Sequence, residues 1–229
     1  MPTAPQALAF AAILMCSPLA TPATPWTTLF DGKSTAAWLE VTGKPFPSTW
    51  SVEDGSLRAV NAPGGLQDIC TIEEFSSFEL TLEWKLKETG NSGVKYLVQK
   101  RDEWKNAAGR QARARGPEFQ LAGPLEPDGR ADPKRSSGAL YSFIAPTASA
   151  GPAQPDGFNQ LRLIVSGNQV EHWLNGVRVL CYDLKAPTVQ AALQQHAGAG
   201  KTIRMSSPVC LQNHGSPAWF RKIRIRRLD

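Results

Sequence analysis

Alternation between apolar and polar residues is the feature that most constrains how this chain can fold. Across residues 78–87, every second position from Phe78 to Leu86 is apolar, and the positions between carry Glu, Thr or Lys. Successive side chains of a β-strand point to opposite faces, so this segment predicts a strand with one buried face. No comparable helical periodicity extends over a long segment. The pattern therefore predicts an all-β protein.

Turn residues divide the other apolar runs into hairpins. Asp54-Gly55 lies between two runs within residues 50–60, and Asn175-Gly176 provides the positive backbone angles of a two-residue hairpin. Residues 158–182 contain three runs joined by two tight turns, which predicts a β-meander. No linker or internal repeat is present. These signals predict one antiparallel β-sandwich.

The remaining segments are assigned from composition. Asn91-Ser92-Gly93 predicts a turn before a strand at residues 94–99, and residues 138–143 predict a further strand. Two long loops are expected at residues 100–115, which are rich in charge, and 122–137, which are rich in Gly, Pro and Asp. One short helix is expected at residues 189–195, which are good helix formers.

The N-terminal segment resembles a targeting sequence. Residues 1–25 carry no charge, and a short apolar run at 7–16 is followed by small residues at Ala20 and Ala23. We expect a cleaved signal peptide at residues 1–23, a mature domain at 24–229, and a periplasmic or secreted protein. The alternative is a disordered or membrane-associated tail. A lipid anchor at Cys16 is disfavoured by the bulky Met15, and prolines interrupt the segment too early for a membrane span.

Cysteine count and charge limit the partners. Removal of residues 1–23 leaves Cys70, Cys181 and Cys210, which permit at most one internal disulfide and fit no zinc spacing. Buried, unpaired thiols are the favoured expectation.

The net charge is +5, but the basic residues at 222–226 alternate with isoleucine. That pattern is typical of a strand with one face in solvent, so no nucleic-acid partner is expected. No oligomeric state is indicated.

Nine motifs in a fixed order resemble one known family, the 3-keto-disaccharide hydrolase domains. The resemblance covers about residues 27–228. The motifs are Leu29-Phe30-Asp31-Gly32 with Trp38, Trp50-Ser51-Val52, Asp54-Gly55-Ser56-Leu57, Phe78-Glu79-Leu80 with Glu83-Trp84-Lys85, Asn91-Ser92-Gly93-Val94, Gly116-Pro117-Glu118-Phe119-Gln120, Gly138 to Tyr141 with Phe158-Asn159, Val170 to Gly176, and Leu211 to Arg221.

The resemblance implies a concanavalin A-like jelly roll, export from a bacterial cell, and a carbohydrate substrate that carries a ketone at sugar carbon 3. Two positions depart from the family pattern. Many relatives have His-Pro-Asp where this chain reads Pro127 to Pro133, and many have Asp where this chain has Ser142. These departures affect the substrate or a metal ligand more than the fold.

Strand alternation also predicts which polar side chains lie on the same face. In an extended segment, Gln212 and His214 share one face while Leu211 and Asn213 point to the other. Glu118 and Gln120 share a face in the same way. A carboxylate or an imidazole beside an amide suits both sugar hydroxyls and proton transfer.

The candidate roles follow from this chemistry. A ketone at carbon 3 acidifies the hydrogen on carbon 2, so a base can form an enolate that expels the group at carbon 1. Glu118 or His214 is the expected base, and Lys95, Gln120 or a bound divalent cation is expected to stabilise the oxyanion. No metal ligands are assigned, and no other cofactor is expected. The expected substrate-binding residues are Gln120, Gln212, Asn213, Asn91, Tyr141 and Arg221.

A second function class remains open. The domain would be a carbohydrate-binding module without catalysis, in which aromatic side chains such as Trp104 and Trp219 form sugar platforms. Turnover distinguishes the two, because a binding module releases no monosaccharide.

Overall fold

The computed structural model describes residues 24–60, 65–107, 109–151, 154 and 157–228, so the expected signal peptide at residues 1–23 lies outside the described residues. The strands of the first half are β1 (Thr27–Phe30), β2 (Trp38–Glu40), β3 (Trp50–Glu53), β4 (Ser56–Ala59), β5 (Gly65–Gln67), β6 (Ile69–Thr71), β7 (Phe78–Leu86), β8 (Asn91–Lys95), β9 (Lys100–Asn106), β10 (Gly109–Arg115) and β11 (Glu118–Ala122). The second half contains α1 (Pro127–Ala131), a 3-10 turn (Pro133–Arg135), β12 (Asn159–Ser166), β13 (Gln169–Leu174), β14 (Val177–Asp183), α2 (Pro187–Ala197), β15 (Cys210–Leu211) and β16 (Ala218–Arg227).

The described strands form three sheets. The largest has the order β14-β13-β12-β7-β16-β4-β3, with β1 paired to β16. A second sheet has the order β11-β8-β15-β6-β2, and a small third sheet has the order β5-β10-β9. Every pairing is antiparallel except that of β5 with β10. The predicted antiparallel β-sandwich is confirmed, and its architecture is a jelly roll.

The core lies between the two larger sheets. On β7 the even positions, such as Leu80, Leu82 and Trp84, are buried, while Thr81 and Glu83 are partly exposed. Phe119 on β11 and Phe220 on β16 are likewise buried. Full burial of one such side chain contributes roughly 1.5–3 kcal/mol, so the alternating pattern is what joins the two layers.

Several local predictions are confirmed. The meander forms β12, β13 and β14, and its second turn has positive φ at Asn175 and Gly176. The expected helix extends over α2, begins at Pro187 and ends before Gly198. No helix among the described residues has the length and apolar character needed to cross a bilayer.

The loop expected at residues 100–115 is instead a regular hairpin, so that prediction is wrong. Strands β9 and β10 pair from Asn106 with Gly109 to Lys100 with Arg115. Charged residues dominate because most of the hairpin is exposed. Among the described residues of the hairpin, Gln111, Ala112 and Ala114 are buried, and the two alanines belong to a cluster with Cys210 of the second sheet. Two small apolar residues are too few to produce the alternating pattern that predicts a strand.

Two other boundaries also differ from the prediction. Asn91, Ser92 and Gly93 belong to β8 rather than to a turn, and this strand ends at Lys95. Residues 138–143 form isolated bridges, as in the pairing of Phe119 with Leu140, and not a strand. The turn-forming composition of residues 91–93 has another cause: Gly93 leaves space for the Glu118 side chain, and Asn91 hydrogen-bonds Glu126 and Gln120.

The expectation of unpaired thiols is also wrong. Cys70 on β6 and Cys210 on β15 form a disulfide across paired strands, and the described chain holds no free cysteine. The bridge joins positions 140 residues apart and therefore fastens two segments that the chain alone would leave independent.

A buried polar network crosses the core between the larger sheets. Tyr96 Oη lies 2.7 Å from His172 Nε2 and also bonds Tyr182 Oη, while His172 Nδ1 lies 2.9 Å from the carbonyl oxygen of Gly138. Desolvation lowers the pKa of His172 to about 4, so the ring is neutral. This histidine therefore belongs to the scaffold.

Candidate active site

A cleft of about 300 Å³ opens between the second sheet and the β9–β10 hairpin. The floor comes from β8, β11 and the segment after β15, and the wall comes from the hairpin. Seven of the nine candidate residues line this one cleft, and they are Asn91, Lys95, Glu118, Gln120, Tyr141, Gln212 and His214.

Strand register brings these residues together. Glu118 on β11 lies opposite Lys95 on β8, and Gln120 lies opposite Gly93. On the other side of β8, the Gln212 backbone N–H donates to the Gly93 carbonyl oxygen at 2.9 Å. A row therefore runs across β11, β8 and the segment after β15, and it consists of Gln120, Gly93 and Gln212.

Gly93 leaves the space that the Glu118 carboxylate fills. A Cβ atom at position 93 would overlap Glu118 Oε1, Cδ and Cγ. The glycine has no positive φ, so the requirement is for space rather than for an unusual backbone conformation. The Glu118 side chain consequently leans along the floor, between Gln120 and Gln212.

Burial changes the acid–base behaviour of Glu118. The residue is 8% exposed, and desolvation raises the pKa of its carboxyl group to about 7, against the positive charge of Lys95 and with help from the negative charge of Asp68. Gln212 Nε2 donates to Glu118 Oε2 at 3.3 Å. A carboxyl group that titrates near neutrality can both accept and return a proton at physiological pH.

The orientation of the floor amides is set from outside the cleft. Glu126, the N-cap of α1, accepts at Oε1 from Asn91 Nδ2 at 3.2 Å. Asn91 Oδ1 then accepts from Gln120 Nε2 at 3.3 Å. A carboxylate can only accept hydrogen bonds, so Asn91 must turn its NH2 group to Glu126 and its oxygen to Gln120. The NH2 group of Gln120 therefore points to Asn91, and Gln120 Oε1 is left free.

Two amide oxygens on the floor are unsatisfied. Gln120 Oε1 and Gln212 Oε1 are buried and have no hydrogen-bond partner within the described chain. Leaving such an acceptor unpaired costs about 1–3 kcal/mol, so both are arranged for a ligand that donates. Two acceptors beside a carboxyl group of raised pKa fit a ligand with several hydroxyl groups.

Lys95 and Asp68 form a buried ion pair at the back of the cleft. Lys95 Nζ donates to Asp68 Oδ2 at 2.9 Å and lies 3.9 Å from Glu118 Oε2. Arg113 on β10 donates to Asp68 Oδ1 at 2.8 Å. Although burial opposes ionisation, these two cations hold the pKa of Asp68 below its usual value.

Two imidazoles border the cleft. His214 is exposed at the rim, and desolvation within the cleft together with the charges of Arg113 and Lys95 lowers its pKa. His196, on α2, also lines the cleft, and desolvation lowers its pKa to about 4. Both rings are therefore neutral at pH 7 and can accept a proton.

The wall carries aromatic and cationic groups. Trp104 on β9 is 39% exposed, and the Arg115 guanidinium lies 5.4 Å from its ring centroid. Tyr141 lies across the cleft with Arg135 5.8 Å from its ring centroid. Trp219, the other expected sugar platform, is outside the cleft lining, where it donates to Glu53 and contacts Lys85.

Two candidate residues are not brought to the cleft. Asn213 Nδ2 donates to the carbonyl oxygens of Thr49 and Val60, so this amide fastens the floor strand from behind. Arg221 lies on β16 in the largest sheet, where it donates to Glu83 at 2.7 Å. The alternation expected for residues 211–214 is confirmed, since Gln212 and His214 line the cleft and Asn213 does not.

Sequence reasoning missed Asp68, Arg113 and His196. Asp68 lies between two short strands and is fully buried, and its partners are 27 or more residues away, so no local spacing identifies it. The available signal was an acidic residue directly before the apolar pair Ile69-Cys70. Arg113 and His196 lie in segments assigned from composition alone.

The described residues contain no cluster of three or more His, Cys, Asp or Glu side chains placed to hold a metal ion. The expected divalent cation stays a prediction.

Comparison with known proteins identifies the family. A protein of Bacteroides thetaiotaomicron named 3-keto-disaccharide hydrolase is 30% identical, across 89% of this chain and 79% of its own length. A crystal structure of a candidate glycosyl hydrolase from Parabacteroides distasonis superposes with a TM-score of 0.72 at 26% identity, over 89% of this chain and 94% of that one. A second such structure from the same organism, 24% identical, has a TM-score of 0.65 and covers 89% of this chain and all of that one.

The fold and the cleft thus define a β-sandwich enzyme of the hydrolase class, similar to glycosidases. A family model described as the 3-keto-alpha-glucoside-1,2-lyase-like domain matches residues 25–226. The chain belongs to this family, and the resemblance found in the sequence motifs is confirmed.

Proposed function

We propose that this protein is an exported enzyme that cleaves glycosides carrying a ketone at carbon 3, with Glu118 as the base. One observation carries the proposal. Two unsatisfied amide oxygens, Gln120 Oε1 and Gln212 Oε1, flank a carboxyl group whose pKa is raised to about 7 in an open cleft. Such a floor binds hydroxyl groups and places a proton acceptor between them.

The first step is elimination. Glu118 removes the proton from carbon 2, and the electron pair forms an enolate whose oxygen is the former ketone oxygen at carbon 3. The Lys95 ammonium stabilises that oxyanion. The enolate reforms the ketone, a double bond forms between carbons 1 and 2, and the bond from carbon 1 to the leaving oxygen breaks. Protonated Glu118 returns its proton to the leaving oxygen.

The second step is hydration. Neutral His214, at the rim where water enters, accepts a proton from the water that adds to carbon 1. The enolate formed by this addition takes a proton at carbon 2 through solvent, and His214 loses its proton. The two steps together consume one water and release two sugars, so the overall reaction is hydrolysis.

The charge pattern of the cleft disfavours direct glycoside hydrolysis. That route uses two carboxyl groups on either side of the scissile bond. Glu118 is the one carboxylate in the described lining of the cleft. Asp68, behind it, is fully buried and holds four hydrogen bonds, from Lys95, Arg113 and the backbone N–H groups of Ala114 and Asn213.

Export is part of the proposal. The disulfide between Cys70 and Cys210 supports an oxidising compartment, since such bonds are rare in reducing cytosol. The uncharged, apolar segment at residues 1–23 supports the same location. Fractionation of cells that express the full chain tests it, and recovery of the intact 229-residue chain from the cytosol with reduced cysteines would contradict it.

Turnover tests the activity. Purified protein is incubated with one disaccharide in its 3-keto form and in its unoxidised form, with and without a chelator, and free monosaccharide is measured. We expect release from the 3-keto form only, and its loss in Glu118→Gln. Equal release from both forms would contradict the mechanism. The chelator arm decides whether a divalent cation takes part.

A carbohydrate-binding module is the second candidate. The exposed Trp104 ring on the cleft wall favours it, because aromatic faces stack on sugar rings. A protein that retains the 3-keto disaccharide on a column and releases no monosaccharide would establish this function instead.

A further inference from the structure

Cross-strand geometry should pair Lys95 directly with Glu118. The two residues lie opposite each other on β8 and β11, and opposite charges in that position attract. The structure shows a different arrangement. Lys95 Nζ lies 2.9 Å from Asp68 Oδ2 but 3.9 Å from Glu118 Oε2, and the Glu118 side chain leans away over Gly93.

Asp68 is fixed independently of Lys95. Its Oδ1 accepts from Arg113 at 2.8 Å and from the Asn213 backbone N–H at 3.1 Å, and its Oδ2 accepts from the Ala114 backbone N–H at 3.0 Å. The side chain has no exposed surface. These bonds tie it to β10 and to the segment after β15, so it is a rigid anchor for the lysine.

We infer that Asp68 is a positioning residue, which draws the Lys95 ammonium away from Glu118 and aims it at the keto oxygen of the substrate. This inference rests on the proposed function, because it assigns Asp68 to the same cleft. Asp68 touches no substrate, and it acts through Lys95. Without it, the 3.9 Å ion pair between Lys95 and Glu118 would shorten to a direct hydrogen bond, which would hold Glu118 in its ionised form.

The other charged groups around Glu118 do not provide this separation. Arg113 is already bonded to Asp68, and Arg115 contacts Trp104 on the wall. The remaining titratable groups that line the cleft are His196, His214 and Tyr141. Desolvation lowers the pKa of both imidazoles, so neither of them is a cation at pH 7. Lys95 is therefore the cation whose position decides the state of Glu118.

The test compares the wild type with Asp68→Asn, which keeps the shape and removes the charge. The pKa of Glu118 is measured in ligand-free protein by carbon-13 NMR of labelled glutamate, assigned with Glu118→Gln. We expect the pKa of Glu118 to fall by roughly one to three pH units, as Lys95 moves to it. The acidic limb of the pH–rate profile should move in the same direction, and a crystal structure of the variant should show a Lys95–Glu118 hydrogen bond.

Two control variants separate positioning from general damage. The double variant Asp68→Asn with Lys95→Met should have a higher pKa of Glu118 than Asp68→Asn alone, because it lacks the Lys95 ammonium. Glu79→Gln breaks a comparably buried ion pair with Arg162 and Arg226 in the other sheet and should leave the pKa of Glu118 unchanged. If Asp68→Asn does not fold, the charge-balanced pair Asp68→Asn with Arg113→Gln is compared with Arg113→Gln alone, and the same fall is expected.

The outcomes distinguish this inference from the proposed function. A Lys95 side chain that keeps its place in the crystal structure of Asp68→Asn would overturn the inference, even if the pKa of Glu118 falls, because loss of the Asp68 charge by itself lowers that pKa. A wild type that cleaves no 3-keto glycoside would overturn the proposed function, while the ligand-free titration would still decide whether Asp68 positions Lys95.

Discussion

The Glu118 carboxylate occupies the space that a side chain at Gly93 would fill. We predict that Gly93→Ala displaces this carboxylate and lowers kcat at least about 100-fold, since misplacement of a catalytic group by about 1 Å has effects of this size. Steady-state kinetics with a 3-keto disaccharide measures it. Gly167→Ala is the control: this exposed turn glycine has a φ of +55°, so the change strains the backbone outside the cleft lining, and it should retain activity.

The same pair should be coupled in stability. Gly93→Ala alone should destabilise, because the added methyl group overlaps Glu118, and Glu118→Ala should remove most of that penalty. A double-mutant cycle by urea denaturation measures the coupling. Additive effects of the two changes would show that the carboxylate does not lie over Gly93.

Glu118→Gln should stabilise the protein at alkaline pH. The pKa of Glu118 is about 7 in the folded state against an ordinary value of 4.5, so the folded protein binds the proton more tightly. The contribution of protonated Glu118 to the free energy of unfolding is therefore fully present below pH 4.5, and it is lost as the pH rises through 7. Gln does not ionise, so the variant should gain about 3 kcal/mol relative to wild type between pH 4 and pH 8.

Denaturant midpoints at the two pH values measure this difference. An equal difference between Glu118→Gln and wild type at pH 4 and pH 8 would mean that the pKa of Glu118 is not raised. A stable but inactive variant is the expected behaviour of a buried catalytic acid, since function and stability make opposite demands on it.

Glu126→Gln should weaken substrate binding without touching the substrate. The carboxylate of Glu126 fixes Asn91, and through it Gln120, so that Gln120 Oε1 faces the cleft. A Gln at position 126 can also donate, which allows both amides to turn over. We expect KM to rise about 5-fold with a smaller change in kcat, because one hydrogen bond to a hydroxyl contributes about 1 kcal/mol.

Asp128→Asn is the matched control for Glu126→Gln. Asp128 lies in the same helix, is exposed, and pairs with Arg135. Its removal should leave KM unchanged. A similar rise in KM for both variants would show that the effect comes from the helix and not from the hydrogen bonds that link Glu126, Asn91 and Gln120.

Loss of the Cys70–Cys210 disulfide should loosen the cleft floor. The bridge lies two residues after Asp68 and two residues before Gln212, on paired strands. We predict that Cys70→Ala with Cys210→Ala lowers the free energy of unfolding by about 2–5 kcal/mol. Urea denaturation measures the loss, and a variant as stable as wild type would contradict the structural role of the bridge.

Local periodicity predicted what depends on neighbours in the chain. Strand alternation correctly separated Gln212 and His214 from Asn213, and the Asn175-Gly176 turn was identified by its chemistry. Glu118 and Gln120 were placed on one face for the same reason. These features follow from two-residue spacing and turn preferences, which a sequence shows directly.

Long-range packing decided what the sequence could not show. Gly93 resembles a turn residue, but it lies in a strand because Glu118 needs its space. Asp68 meets Lys95 and Arg113 only after three segments have folded together. The β9–β10 hairpin has a mostly solvated surface, so its pattern lacked the apolar alternation of a buried strand.

Hydrogen exchange at carbon 2 tests the central claim most directly. A 3-keto disaccharide is incubated in D2O with wild type or Glu118→Gln, and deuterium at carbon 2 of the released 3-keto sugar is measured by mass spectrometry. A non-enzymatic blank corrects for spontaneous exchange. We predict deuterium at this position in every product molecule formed by wild type, and no product with Glu118→Gln. Product that keeps its original hydrogen at carbon 2 would contradict proton abstraction by Glu118.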